Sequence, residues 1–134
     1  MQITRTADVG VRVMTHLAMH PYGARMTVAK LADQSDAPVP FTSRILQRLV
    51  VARLVVSHRG CEGGFELARG ARSISLLDIV AALDGPLCLN TCLPGGAGCG
   101  RKAWCGAHGV WANAQKALAG VLASESLERL AATA

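Results

Sequence analysis

Val9, Val13 and Leu17 recur every four residues, with Met14 and Ala18 beside them and Arg12, Thr15 and His16 between. That spacing lays one apolar stripe along an amphipathic helix of about four turns. Thr4 or Thr6 can cap it, and Pro21-Tyr22-Gly23 ends it. Thr27 opens a second, shorter helix, Val28 to about Gln34, which buries Val28, Leu31 and Ala32 until Ser35-Asp36-Ala37-Pro38-Val39-Pro40 breaks it. Pro40 suits the first position of a third helix. There Phe41, Ile45, Leu46 and Leu49 form the buried stripe, leaving Thr42, Ser43, Arg44, Gln47 and Arg48 to face outward. Two short helices around a tight break make a helix-turn-helix.

After Arg53-Leu54 the period changes. Val55–Arg59 and Phe65–Ala68 read as short strands around Gly60-Cys61-Glu62-Gly63-Gly64, a hairpin with a flexible, basic tip. Ser75 with Asp78 forms an approximate capping box for a helix from Leu76 to Asp84, stopped by Gly85-Pro86. Beyond a glycine-rich stretch, a long helix is expected from near Cys105 to Leu122. Trp104, Trp111 and Leu118 are spaced by seven, with Ala107, Ala114 and Val121 three residues after each. This heptad hints at helix pairing and a homodimer, although the same residues could pack on the N-terminal part. Ser124–Leu130 adds a final turn or two, and 131–134 reads as a frayed end. The expected fold is mainly α with a small β-hairpin wing. A winged helix-turn-helix DNA-binding domain at 1–85 precedes a cysteine-rich loop at 86–106 and a dimerisation helix with C-terminal tail at 107–134.

Length fits one domain of 134 residues. Charge divides it: residues 1–75 hold ten Lys/Arg against five Asp/Glu, whereas 76–134 hold four of each. The positive excess therefore lies in the helix-turn-helix half, as expected of a surface that meets a polyanion. Arg44, Gln47 and Arg48 are candidates for base edges or phosphates in the major groove, and Thr42 and Ser43 for phosphates. Arg59 in the wing is the candidate for the minor groove or backbone. No apolar run approaches the roughly 20 residues of a membrane span, and Met1–Asp8 is too polar for a secretory leader, so a cytoplasmic location without membrane contact is expected.

Four of the five cysteines change the picture further. Cys92, Cys99 and Cys105 are separated by six and then five residues, His108 follows, and Cys88 lies four residues upstream. An odd number of cysteines in a chain read as cytoplasmic argues against a disulfide framework. Thiolates and an imidazole among the glycines at 95, 96, 98, 100 and 106 suit a soft or borderline metal. Three cysteines in fourteen residues among glycines make a poor core pattern. Zinc competes, since three cysteines and a histidine fill a tetrahedral site, but the wide spacing without a C-x2-C pair fits a bulkier cluster. Cys88 reads equally as packing, and Cys61 as an incidental surface thiol with a redox role as the alternative. His16, His20 and His58 read as ordinary side chains. Asp8 lies on the first turn of its helix, where capping is its simplest role.

The order of these pieces resembles a family of iron-sulfur winged-helix transcription regulators that includes the cluster-biogenesis regulator IscR, the nitric-oxide-sensitive repressor NsrR and the iron-responsive RirA. The resemblance covers nearly the whole chain: MQITRTADVGVRVMTHLA, the wing SHRGCEGGFELAR, SISLLDIVAALDGPL, and three cysteines before a Trp-bearing helix, in the family's order. It implies a homodimer with one iron-sulfur cluster per subunit on Cys92, Cys99 and Cys105, and dimer symmetry then predicts a palindromic DNA operator. Two fourth ligands match. Asp8, from the partner subunit, corresponds to the nitric-oxide-sensing branch and a 4Fe-4S cluster, whereas His108 corresponds to the cluster-biogenesis branch and a 2Fe-2S cluster. The opening segment places the chain nearer the first branch, which ranks Asp8 and 4Fe-4S ahead. Six rather than five residues between the first two cysteines depart from the family pattern and keep Cys88 open as a replacement for Cys92.

The resulting expectation is a DNA-binding repressor whose promoter binding responds to nitric oxide, oxygen or iron through a cluster. The alternatives are a zinc-stabilised DNA-binding adaptor without sensing and a 2Fe-2S regulator of iron-sulfur cluster biogenesis. An enzyme is not expected, because no paired acid and base groups mark a substrate pocket and a basic winged helix would go unexplained.

Overall fold

A computed structural model describes residues 2–134. Helix α1 (Arg5–Ala18) starts at Thr4, whose Oγ1 accepts from the Ala7 amide at 3.1 Å. Its stripe of Ala7, Val9, Val13, Met14 and Leu17 is buried as the spacing requires. Helices α2 (Val28–Gln34) and α3 (Val39–Val51) follow; the Thr27 hydroxyl caps α2 by accepting from the Lys30 amide, α3 starts after Pro38 without a side-chain cap, and Asp36 is left-handed in the turn between them at φ 52°. Strands β1 (Val55–His58) and β2 (Gly64–Leu67) pair antiparallel, Val55 opposite Leu67 and His58 opposite Gly64. Met26 adds an isolated bridge to Phe65. Gly64 is required there. Its φ is 137°, and a Cβ would meet the Met26 carbonyl oxygen at 2.7 Å.

A 3-10 turn (Ala71–Ser73) leads to helix α4 (Leu76–Asp84), where both bonds of the Ser75–Asp78 capping box form. The cysteine loop then runs to helix α5 (His108–Ser124), and helix α6 (Leu127–Thr133) ends the chain. One core unites α1, α3, α4 and the hairpin, and it includes Leu127 of α6.

Three expectations are corrected. The last helix continues to Thr133 rather than fraying from 131, because Leu127 is fully buried, its amide bonds the Ile74 carbonyl at 2.8 Å, and Ser126 bridges Ser75. Helix α5 begins at His108, so Trp104 and Ala107 of the seven-residue series lie before it, with Trp104 exposed. Thr42 is not an outward residue. It is fully buried and its hydroxyl donates to the Pro38 carbonyl at 3.0 Å, because it falls three and four residues before Ile45 and Leu46 on the inner stripe. Among the described residues, no helix is long and apolar enough to cross a membrane.

Candidate metal centre and nucleic-acid interface

Gly85, with φ 79°, ends α4 and turns the chain into the cysteine loop. Leu87 and Leu93 anchor the loop's first half in the protein. Its backbone is knit by Leu93 N–H to the Asn90 carbonyl at 3.1 Å and Gly98 N–H to the Thr91 carbonyl at 2.8 Å. Gln115 of α5 accepts from the Leu89 amide at 2.8 Å, tying this half to the helix beyond. The second half, from 98 to 107, is exposed and held by single turns, Trp104 N–H to Arg101 and His108 N–H to Cys105.

Cys92, Cys99, Cys105 and His108 line one cleft of about 130 Å³, together with Asn90, Thr91, Arg101, Lys102 and Trp111. Residues spread over seventeen positions thus come to one place. Among the described residues, no three Cys, His, Asp or Glu side chains converge tightly enough for a single metal ion. The four side chains line one cleft instead. His108 Nδ1 is buried there without a hydrogen-bond partner. A buried imidazole nitrogen without a partner is unusual, because buried polar atoms are normally paired. Three thiols and an imidazole on one cleft are the donor types that a thiolate-bound cluster would use.

The other two candidate ligands lie elsewhere. The Cys88 thiol donates to the Asn90 carbonyl at 3.1 Å and lines a different cleft, with Thr4, Asp84 and Gly95. Asp8 is on α1, 65% exposed, and paired with Arg12 at 3.1 Å. Arg12 also donates to the Ser35 carbonyl at 2.6 Å, so Asp8 is linked to the turn of the helix-turn-helix.

On the third helix Ser43, Arg44 and Gln47 carry no side-chain hydrogen bond or ion pair among the described residues, and Arg44 and Gln47 are exposed. Arg48 is exposed too, yet its Nη2 donates to the Leu83 carbonyl on α4. In the wing, Arg59 is exposed beside Gly60, and Cys61 is exposed at the tip. The wing's base is braced by Glu66, whose carboxylate lies 3.6 Å from Arg25 and 3.3 Å from His58 Nε2, close enough for attraction though not aligned as a hydrogen bond. Sequence reasoning passed over Arg5, whose guanidinium sits 5.7 Å above the Phe41 ring at the start of α3. It also passed over Arg101 and Lys102, whose place between Cys99 and Cys105 was a usable signal.

Residues 3–133 match the Rrf2 family, described as "Iron-dependent Transcriptional regulator". The chain belongs to the Rrf2 family. IscR of Photorhabdus laumondii is 27% identical over 97% of this Rrf2-family chain and 79% of its own length. The HTH-type transcriptional regulator Rv1287 of Mycobacterium tuberculosis is 41% identical over 65% of this chain and 54% of its own. The chain thus spans about half the length of the curated relatives it matches at that level. Among solved structures, CymR, "the Global Cysteine Regulator of B. subtilis", superposes with a TM-score of 0.82 at 25% identity, covering 100% of this chain and 98% of that one. T. potens IscR gives 0.78 at 26% identity, covering 99% and 88%. The winged-helix fold expected from the sequence is therefore that of Rrf2 regulators. These relatives are transcriptional regulators, not enzymes.

Proposed function

We propose that this Rrf2-family chain is a transcriptional repressor that binds a palindromic operator as a homodimer, its DNA affinity set by an iron-sulfur cluster in the cleft of Cys92, Cys99, Cys105 and His108. The observation that carries the reading is that Cys92, Cys99, Cys105 and His108, spread along the loop to the start of α5, line one cleft. When bound, the cluster supplies a redox-active centre open to nitric oxide, oxygen and iron loss. The chain's own residues do the rest. Cys92 lies in the braced half of the loop, and Cys99 and Cys105 in its exposed half. Ser43, Arg44 and Gln47 meet the major groove and Arg59 the minor groove or backbone. The apolar face of α5 pairs the subunits.

The fourth ligand divides this proposal. Within one chain the geometry supports His108, which favours 2Fe-2S over the sequence's ranking of 4Fe-4S. Asp8 supplied by the partner subunit remains the second reading, supported by its exposure and by the resemblance of the opening segment. Native mass spectrometry of anaerobically purified wild type, Asp8→Ala and His108→Ala counts iron and sulfide in each. Iron loss in His108→Ala alone assigns the imidazole, and loss in Asp8→Ala alone assigns the partner's carboxylate. A colourless wild type with one zinc per chain and no sulfide sinks the cluster reading in favour of a zinc-stabilised adaptor.

A further inference from the structure

The last turn of α4 is held from three sides immediately before the cysteine loop begins. Leu83 is buried where a Cβ on Gly10 of α1 would meet its Cδ1 at 2.1 Å and Ile45 of α3 at 3.6 Å, so three helices close on one point. Asp84 accepts from the Thr4 amide at 3.2 Å and from the Thr4 hydroxyl, binding the start of α1. The Leu83 carbonyl accepts from Arg48 of α3. A carbonyl in the last turn has no partner within its helix, and a cation there is favoured by the helix dipole. Gly85 and the loop follow at once.

We propose that Arg48 is a positioning residue that couples the cysteine loop to the third helix, rather than a DNA contact. Its Nη2 is engaged by the Leu83 carbonyl of α4, while Ser43, Arg44 and Gln47 make no side-chain hydrogen bond among the described residues. A shift of the loop at Gly85 moves the Leu83 carbonyl, and Arg48 carries that shift into α3. The sensing role of this link rests on the cluster reading above; the mechanical link does not. Coupling is reciprocal, so DNA held by α3 must also change the loop.

Two measurements test it, using a duplex selected from a random-sequence library. The first compares DNA Kd for cluster-loaded and cluster-free wild type, Arg48→Ala, Arg48→Lys and Arg44→Ala over a salt series. Arg48→Ala is expected to collapse the ratio between the two forms at least tenfold with an unchanged salt slope, and Arg48→Lys, which keeps a donor, to restore it. Equal weakening of both forms with a salt slope smaller by about one makes Arg48 a phosphate contact and overturns the proposal. The second follows amide exchange in cluster-free protein. DNA is expected to protect residues 85–93 in wild type and Arg48→Lys, but only α3 in Arg48→Ala. Loop protection that survives in Arg48→Ala, or is absent from wild type, also overturns it. A wild-type Kd ratio of one alongside Arg48-dependent loop protection rejects cluster sensing and keeps the link.

Discussion

Leu127 on α6 is fully buried, whereas Val110 and Val121 on α5, the helix just before it, are 62% and 65% exposed. The two helices are comparably apolar and differ in what the chain offers them. Helix α6 folds back onto α1 and the turn before α4, completing the winged-helix core. Helix α5 has no buried residue, and Trp111 joins its exposed apolar side chains. The cysteine loop divides in the same sense, into a half anchored by Leu87 and Leu93 and a half exposed around Cys99 and Cys105. The DNA-binding part is finished by this chain alone. The cysteine loop and α5 present unfinished surfaces, of the kind that suit a second subunit or a cofactor.

The sharpest break of that contrast is to truncate one apolar side chain in each helix. Leu127→Ala should cost about 2–5 kcal/mol, the range for a buried leucine whose cavity relaxes only partly. Val121→Ala should change the stability of the isolated chain by less than about 0.5 kcal/mol, as exposed positions do. Urea melts of both variants at low protein concentration check this. If α5 pairs subunits, Val121→Ala should instead raise the dimer dissociation constant in sedimentation equilibrium. Equal losses in the melts would mean that α5 is already finished within one chain.

Gly10→Ala comes next. The added methyl meets Leu83 at 2.1 Å, and neither α1 nor α4 has slack there, because Thr4 and Asp84 tie their ends. Overpacking of this kind costs about 1–3 kcal/mol. Pairing it with Leu83→Ala, which makes room, should recover part of the loss in a double-mutant cycle. Additive losses would mean that the two sites do not share a contact.

Local rules made much of this legible. The four-residue spacing of Val9, Val13 and Leu17 fixes a helix face, and Ser75 with Asp78 fixes a helix start, because both act within one or two turns. Thr42 is legible too, on the same three- and four-residue spacing from Ile45 and Leu46, but its polarity alone points it to solvent. A hydroxyl that bonds the carbonyl four residues back removes that objection. What no local rule carries is contact between distant segments. Arg48 meets Leu83 thirty-five residues away, and Leu127 meets the core from the far end of the chain. Residue type alone marks the three cysteines and His108, but their convergence on one cleft depends on where α4 and α5 hold the loop's ends. The Asp8 question lies further out still, since its answer needs a second subunit.

The smallest effect discriminates within the loop itself. Gln115 ties α5 to the cysteine segment by a hydrogen bond, its Oε1 accepting from the Leu89 amide across 26 residues of sequence. Gln115→Leu removes the acceptor while keeping the bulk, for about 0.5–1.5 kcal/mol, a difference too small to unfold a domain of this size. Its signature should be local. Amides 89–93 should exchange nearly as fast as those of 99–105, and the cluster, if Cys92 holds it, should be lost faster to a chelator. Gln115→Glu keeps an acceptor oxygen and should retain the wild-type pattern. If Gln115→Leu leaves both exchange and chelation unchanged, the first half of the loop is held by Leu87 and Leu93 alone, and α5 takes no part in presenting Cys92.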